Sequence, residues 1–161
     1  MIRFSKHSGI FTLESEQELQ ISLGEAWDYF SSPENLQKIT PEKMRFKITS
    51  KVDKKVYQGQ IITYKVSPFP LITTNWVTEI TTVKQQEFFI DEQRFGPYAM
   101  WHHEHFFESL PDGNTLMKDK ISYKLPFGFL GAIAQKLFVK KQLTSIFEYR
   151  FSTLEKLFNE N

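Results

Sequence analysis

The sequence predicts an α+β fold in which a curved antiparallel sheet of about six to seven strands surrounds one long C-terminal helix, with two short helices after the first strand. From residue 44 to residue 124, apolar and polar residues alternate with a period of two in short segments separated by turn signals, which is typical of antiparallel hairpins. After Pro126 the period becomes helical over a broad apolar face, and such a helix needs a sheet to lie on. We expect residues 1–161 to form a single domain.

Local signals define the N-terminal elements. Residues 10–21 alternate loosely and predict the first strand. Ser22 followed by Glu25 matches a capping box and predicts a helix that begins there. Pro33 suits the start of a second short helix, and Pro41 ends it, because the residue before a proline avoids helical backbone angles.

The central region is divided into six further strands. The predicted segments are 44–52, 57–66, 74–83, 87–93, 100–108 and 116–124. Turn signals separate several of them, at Ser67-Pro68 with Pro70, at Gly96-Pro97 and at residues 111–114. We expect Gly96-Pro97-Tyr98 to be a plain hairpin turn near the mouth of any cavity.

A helix of about 25 residues is predicted from near Gly131. Its apolar stripe comprises Ile133, Leu137, Phe147, Phe151, Leu154 and Phe158, flanked by Leu143, Ile146 and Leu157. Arg150 lies at this face, one turn from Ile146 and from Leu154. We expect its stem to pack while its head stays in water, the alternative being that it reaches an inward aspartate.

The composition excludes several classes of function. Twenty basic and 19 acidic residues give a net charge of +1, which provides no long-range attraction to nucleic acid or to an anionic membrane. The absence of cysteine excludes disulfides and thiolate chemistry and fits the cytoplasmic location that we expect. We find no signal peptide and no membrane span. A regulatory or partner-binding module receives little support, because no exposed apolar helix is obvious.

The segment FGPYAMWHHEHFFE, residues 95–108, holds three of the four histidines. Side chains of a strand alternate between its two faces. One face carries Trp101, His103, His105 and Phe107, and the other carries His102, Glu104, Phe106 and Glu108. We assign the first face inward because it has two large aromatics and no carboxylate, so His102 is expected at the surface.

The neighbouring strands bring acidic residues to the same inward face. The two hairpin turns place Asp91 opposite His103 and Asp119 opposite His105. By the same registers, Gln93 is expected opposite Trp101 and Met117 opposite Phe107. The sequence therefore predicts an inward Asp/His patch ringed by aromatic residues, although a slip of one residue in any strand would undo it.

The chemistry of this patch has four possible interpretations. The first is a purely structural hydrogen-bonded network, because burying two carboxylates is costly unless each has a partner. The second is a polar end of an apolar cavity that orients a ligand. Two histidines at i and i+2 can bind zinc only if an aspartate across the sheet supplies the third ligand. General acid/base catalysis suits His-Asp pairs, yet no nucleophile or oxyanion hole is evident, and we assign no metal or cofactor and no catalytic residue.

Six segments carry a resemblance to a known family. They are SPENLQKITP (32–41), GQIITYKV (59–66), NWVTEI (75–80), FIDEQRFGPYAMWHHEHFF (89–107), MKDKISYKLPFG (117–128) and IFEYR (146–150). With the order of elements, they resemble the START/Bet v1-like (SRPBCC) superfamily, and within it a bacterial ligand-binding, polyketide cyclase-like subgroup. The resemblance implies a helix-grip fold and a cavity. It implies no reaction, because the superfamily includes lipid carriers, hormone receptors, cyclases and hydrolase-like enzymes.

The leading functional hypothesis is the binding of a small hydrophobic or amphipathic molecule between the sheet and the C-terminal helix, with the Asp/His patch orienting it. The candidate ligand-binding residues are Tyr64, Trp76, Asp91, Gln93, Trp101, His103, His105, Phe107, Asp119 and Tyr123. The alternative is an enzyme of the cyclase or hydratase kind that uses His103 or His105 as general acid/base. The sequence does not indicate an oligomeric state.

Overall fold

The computed structural model describes residues 1–69 and 72–160, and its main element is one antiparallel sheet of eight strands. The strands are β1 (Ile2–His7), β2 (Ile10–Leu19), β3 (Lys47–Ile48), β4 (Ile61–Phe69), β5 (Ile72–Lys84), β6 (Phe88–Phe95), β7 (Met100–Ser109) and β8 (Thr115–Lys124). Their order across the sheet is β1-β2-β8-β7-β6-β5-β4-β3. The predicted α+β class is confirmed, with eight strands rather than six to seven.

The helices lie where the sequence signals place them. The two short helices are α1 (Leu23–Phe30) and α2 (Pro33–Lys38), and a 3₁₀ turn follows at Glu42–Met44. The C-terminal helix comprises α3 (Phe129–Ala134), a π-helical segment at Gln135–Val139 and α4 (Lys140–Phe158). Ser22 and Glu25 form the predicted capping box, in which the Ser22 amide donates to Oε2 of Glu25 at 3.0 Å. No helix within residues 1–69 and 72–160 has the length and apolarity to span a membrane.

The additional strand is β1, which the sequence pattern did not reveal. It pairs with β2 through a turn at Ser8 and Gly9, whose φ angles are 50° and 81°. Positive φ at both central residues is the geometry of a two-residue hairpin turn, and glycine adopts it without strain. The strand lies at the edge of the sheet, and four of its six residues are charged or polar. Such a composition shows no hydrophobic periodicity but is common at sheet edges.

Two predicted boundaries near the opposite edge are wrong. Most of the predicted strand 44–52 is irregular, and only Lys47–Ile48 pairs with the sheet. The predicted turn at Ser67-Pro68 is instead the end of β4, with a register shift between Val66 and Phe69. A proline is tolerated within a strand at such an irregularity because no ladder hydrogen bond is needed there. Pro70, the last residue of that turn signal, lies outside the described residues.

The core lies between the inner face of the sheet and α4. Trp27 of α1 contacts Phe89 and Phe107 edge-on, with ring centroids 6.1 and 5.7 Å away. Leu154 of α4 completes this cluster and is 1% exposed. A second cluster joins the helix to β2 and β8, and it contains Leu13, Ile121, Tyr123, Val139, Leu143 and Phe147. The helix is therefore held along the sheet, as predicted.

The predicted apolar stripe of the C-terminal helix is correct for only part of its length. The buried residues of α4 are Leu143, Phe147, Arg150 and Leu154, whereas Ile133, Leu137 and Phe151 are each more than 40% exposed. The π-helical segment explains the exposure of Ile133 and Leu137, because its i→i+5 turn rotates the first part of the helix relative to α4.

This rotation leaves a cluster of apolar side chains at the surface, which we call the 127–138 patch. It contains Phe127, Phe129, Leu130, Ile133, Leu137 and Phe138, which range from 49% to 80% exposed. The expectation that no apolar helix would be exposed is therefore wrong. Periodicity alone placed Ile133 and Leu137 inward because it assumed an uninterrupted α-helix.

Candidate functional site

The registers of β6, β7 and β8 bring the predicted Asp/His patch together. Asp91 faces His103 across β6 and β7, and His105 faces Asp119 across β7 and β8. Phe107 faces Met117, also as predicted. These pairings confirm the strand phase on which the patch depends.

One predicted pairing is not formed. Within the described chain, the pairing of β6 with β7 ends at Glu92 and His102, so Gln93 does not oppose Trp101. Gln93 instead closes the hairpin tip, where its Nε2 donates to the carbonyl of Tyr98 at 2.7 Å and its Oε1 accepts from the Tyr98 amide at 3.2 Å. A Cβ on Gly96 would lie 2.3 Å from Oε1 of Gln93, so a larger residue in this turn would displace the Gln93 side chain.

Two aspartates and two histidines form a closed ring of contacts, which we call the Asp/His cluster. The hydrogen bonds run diagonally: Nε2 of His103 donates to Oδ1 of Asp119, and Nε2 of His105 donates to Oδ2 of Asp91, both at 2.9 Å. The other two contacts are weaker. Nδ1 of His105 lies 3.0 Å from Oδ1 of Asp119 but is poorly aligned with it, and Nδ1 of His103 lies 3.6 Å from Oδ2 of Asp91.

Arg150 of α4 joins this cluster from the helix side. Its Nη1 donates to both carboxylate oxygens of Asp119, at 3.2 and 3.3 Å. Only 9% of its side chain is exposed, and its guanidinium also lies over the ring of Phe147 at 4.8 Å. The expectation that the head of Arg150 stays in water is therefore wrong, because a buried carboxylate offers it a better partner than water.

The surroundings shift the pKa values of the two histidines in opposite directions. Burial lowers the pKa of His103, and the charge of His105 lowers it further, which outweighs its contacts with Asp119 and Asp91. Burial also lowers the pKa of His105, but its contacts with Asp119 and Asp91 outweigh burial and raise it. His103 is therefore a neutral ring whose proton is on Nε2, which leaves the lone pair of Nδ1 available as an acceptor.

Both carboxyls are held ionised. Burial raises the pKa of Asp91, but the contacts with His105 and His103 outweigh it, so the pKa is lowered. Burial raises the pKa of Asp119, but the positive charge of Arg150 and the contacts with His103 and His105 together outweigh burial and hold the pKa well below its usual range. The buried carboxylates are therefore compensated by the Arg150 guanidinium and by the contacts with the two imidazoles, which makes their burial tolerable.

Aromatic rings cover the histidines on several sides. Phe89 stacks on His105 with centroids 4.2 Å apart, and the two imidazoles lie 3.7 Å from one another. Trp101 and Phe147 approach His103 edge-on, at 6.3 and 6.5 Å. These contacts fix the ring orientations and exclude water from much of the cluster.

A cavity of about 190 Å³ lies between the sheet, the short helices and α4. Six of the ten predicted ligand-binding residues line it: Tyr64, Trp76, Asp91, Trp101, His103 and His105. Burial raises the pKa of Tyr64, so its hydroxyl is neutral. One ligand-capable atom from each of Asp91, His103 and His105 lies within 4.8 Å of the others, so the polar wall of the cavity includes a set that could hold a metal ion.

Four predicted site residues lie outside this lining. Gln93 holds the hairpin tip, and Phe107 packs in the core beside Trp27. Asp119 is buried behind the histidines, where it supports them. Tyr123 is fully buried, and its hydroxyl accepts a hydrogen bond from Nε2 of Gln135 at 2.6 Å.

The cavity also has lining residues that sequence analysis missed. They include Met44, Phe46, Tyr98, Gln142, Ile146 and Arg150. Tyr98 was expected in a plain turn, yet its ring contacts those of Trp76 and Trp101, with centroids 5.6 and 4.7 Å away. The sequence did contain a signal for Tyr98, because it is an aromatic residue next to a hairpin turn and close to two tryptophans that were expected to face inward. Nothing in the pattern around Met44 or Gln142 indicated a cavity.

His102 lies on the other face of β7, as predicted. Its Nδ1 is 2.8 Å from Oε1 of Glu92, and its side chain is 29% exposed. The three neighbouring histidines therefore belong to two separate sets, and only His103 and His105 face the cavity.

Comparison with known proteins shows the fold. No family model and no curated protein matches the chain. A crystal structure of major latex-like protein 151 from Panax ginseng matches with a TM-score of 0.67 at 9% identity, over 94% of this chain and 99% of that one. A norcoclaurine synthase point mutant from Thalictrum flavum, in complex with a transition-state analogue, matches with a TM-score of 0.64 at 12% identity, over 97% and 98%. A Chromobacterium violaceum protein matches with a TM-score of 0.69 at 12% identity, over 91% and 96%.

Proposed function

We propose that this chain, which has the helix-grip fold of the Bet v1-like proteins, binds a small hydrophobic or amphipathic molecule between its sheet and its C-terminal helix. The observation that carries the proposal is an aromatic and aliphatic cavity with one polar wall, formed by Asp91, His103 and His105. Binding sites are mostly apolar clefts with a few converging polar groups that orient the ligand.

The volume of the cavity restricts the size of the ligand. At about 190 Å³ it is below the roughly 300–1,000 Å³ of typical drug-sized sites. An engineered apolar cavity of about 150 Å³ accepts benzene in another protein. The expected ligand is therefore a one- or two-ring compound, or an aliphatic chain of similar size.

The polar wall favours a ligand that carries one hydroxyl or amine. Nδ1 of His103 lies beyond hydrogen-bonding distance from Asp91, at 3.6 Å, and a neutral imidazole accepts a hydrogen bond there. The neutral hydroxyl of Tyr64 lines the same cavity and can donate. A phenol or alcohol fits both groups.

A matched pair of probes tests the proposal. We expect 2-naphthol to raise the melting temperature of protein kept in EDTA and to bind more tightly than naphthalene in calorimetry, because only 2-naphthol can donate to His103. Val66→Phe should abolish both interactions, because Val66 is 6% exposed and lines the cavity. Val77→Phe, on the outer face of the neighbouring strand, is the control and should bind like the wild type.

One outcome of this binding experiment would contradict the proposal. If neither naphthyl probe nor a wider panel of small phenols and alcohols stabilises the wild type more than Val66→Phe, the cavity does not bind ligands of this class.

A further inference from the structure

We propose that Asp91, His103 and His105 form a binding site for one divalent first-row transition-metal ion. The site would lie in the polar wall of the cavity, where all three side chains are exposed to it. This inference concerns the ion alone and does not depend on the binding of an organic ligand.

The donor atoms are close enough to share an ion. Oδ2 of Asp91 lies 2.9 Å from Nε2 of His105 and 3.6 Å from Nδ1 of His103, and the set of three stays within 4.8 Å. Ligands at about 2.1 Å from a tetrahedral ion are about 3.4 Å from one another. The two distances bracket this value, so small side-chain adjustments are sufficient.

The opposite nitrogens of the two rings supply an independent observation. Nε2 of His103 and Nδ1 of His105 both lie against Oδ1 of Asp119, at 2.9 and 3.0 Å. Asp119 is hydrogen-bonded to the ring of His103 and only in contact with the ring of His105. A carboxylate beside the remote nitrogen of a ligating histidine is the arrangement found around protein metal ions, where it fixes the ring orientation. Asp119 is itself held through both oxygens by Arg150.

Charge also favours a cation at this position. Asp119 is matched by Arg150, so the inner set carries the charge of Asp91 when both rings are neutral. An ion would take the place of the proton that Nε2 of His105 donates to Asp91, while Nδ1 of the same ring keeps a proton beside Asp119. The remaining coordination positions would face the cavity, because Asp91, His103 and His105 line it.

The ligand types define the class of ion. Two imidazoles and one carboxylate suit zinc, iron(II) and cobalt(II), whereas calcium and magnesium prefer oxygen ligands throughout. We therefore choose Zn²⁺ and Co²⁺ as probes.

The experiment uses the full chain, stripped with EDTA and then exchanged into chelator-free buffer without organic ligand. Calorimetry with Zn²⁺ is expected to give one ion per chain. Asp91→Asn, His103→Asn and His105→Asn should each remove this binding, and Asp119→Asn should weaken it by about 10- to 100-fold. His102→Asn is the matched control, because His102 is on the same strand beside Glu92 but faces outward.

A measurement on the wild type alone covers the case in which these variants do not fold. The Co²⁺-loaded protein is expected to show paramagnetically shifted imidazole proton signals from two histidines. Absence of stoichiometric binding, or equal loss of binding in His102→Asn and His103→Asn, would overturn the proposal. Failure here leaves the 2-naphthol result unaffected, since that experiment is performed in EDTA.

A different part of the molecule carries a second inference: we also propose that the 127–138 patch docks on an anionic lipid surface. Phe127 and Phe129 are 80% and 75% exposed, and Leu130 and Phe138 are each more than half exposed. A protein surface rarely exposes so many large apolar side chains in one segment unless they contact a partner.

Charge complementarity selects the partner. Residues 121–147 contain four lysines and no Asp, Glu or Arg, although the whole chain has a net charge of only +1. The lysines are Lys124, Lys136, Lys140 and Lys141. Exposed aromatic residues beside basic residues are typical of helices that lie in the interface of a bilayer with anionic lipids.

Co-sedimentation with vesicles tests this inference. The wild type should sediment with phosphatidylcholine vesicles that contain phosphatidylserine, less with phosphatidylcholine alone, and less at high salt. Phe129→Ser should lose most of the binding. Phe151→Ser is the control, because Phe151 is 42% exposed on α4 but lies outside the patch. This variant should bind the vesicles like the wild type. Equal sedimentation of wild type and Phe129→Ser, or a stable dimer that Phe129→Ser dissociates, would contradict lipid docking.

Discussion

Replacing Arg150 with methionine is expected to lower the free energy of unfolding by about 3–5 kcal/mol. The guanidinium is buried and donates to both oxygens of Asp119, which is also buried. Methionine keeps much of the packing against Phe147 but leaves the carboxylate without its main counter-charge. Urea denaturation followed by circular dichroism measures the loss.

Arg94→Met is the matched control for this prediction. Arg94 also pairs with carboxylates, those of Glu79 and Glu92, but 46% of its side chain is exposed. Exposed ion pairs contribute about 0–1 kcal/mol. Adding Asp119→Asn to Arg150→Met should recover part of the loss, because the unpaired charge is then removed. Similar losses for Arg150→Met and Arg94→Met would show that the buried pair is not important for stability.

Leu154→Ala is expected to destabilise the fold by about 2–5 kcal/mol. Leu154 is 1% exposed and attaches α4 to the cluster that contains Trp27, Phe89 and Phe107. Truncation removes buried apolar surface and leaves a cavity that the surrounding rings cannot fill. Thermal and urea denaturation both report it.

The same substitution three residues later provides the comparison. Leu157 is on the same helix and is 50% exposed. Leu157→Ala therefore changes the helix propensity by the same amount as Leu154→Ala but removes much less buried apolar surface. Its cost should stay below about 1 kcal/mol. A loss for Leu157→Ala as large as that for Leu154→Ala would mean that α4 is packed through a different face.

The strand phase around the site could be predicted because local signals define it. Gly96-Pro97 and residues 111–114 set the lengths of two hairpins, and the alternation in β7 separates His103 from His102. Given those registers, Asp91, His103, His105 and Asp119 must reach one face. Which aspartate bonds to which histidine could not be predicted, since the hydrogen bonds cross diagonally and depend on side-chain rotamers rather than on backbone pairing.

The remaining errors have physical causes as well. The edge strand β1 is too polar to show a hydrophobic period, and the π-helical segment at 135–139 breaks the period that places Ile133 and Leu137. The position of the Arg150 head depends on a partner more than thirty residues earlier in the chain. Cavity lining by Met44 or Gln142 depends on the distance of α4 from the sheet, which no local pattern encodes.

The placement of the tryptophans has an optical consequence. Trp76 and Trp101 line the cavity with their rings 5.2 Å apart and perpendicular, while Trp27 packs in the separate cluster with Phe89 and Phe107. Two of the three indoles thus share the space that an occupant would fill, and the third gives a constant background. The chain carries an intrinsic fluorescent reporter, so that occupancy can be followed through its own emission without attaching a dye.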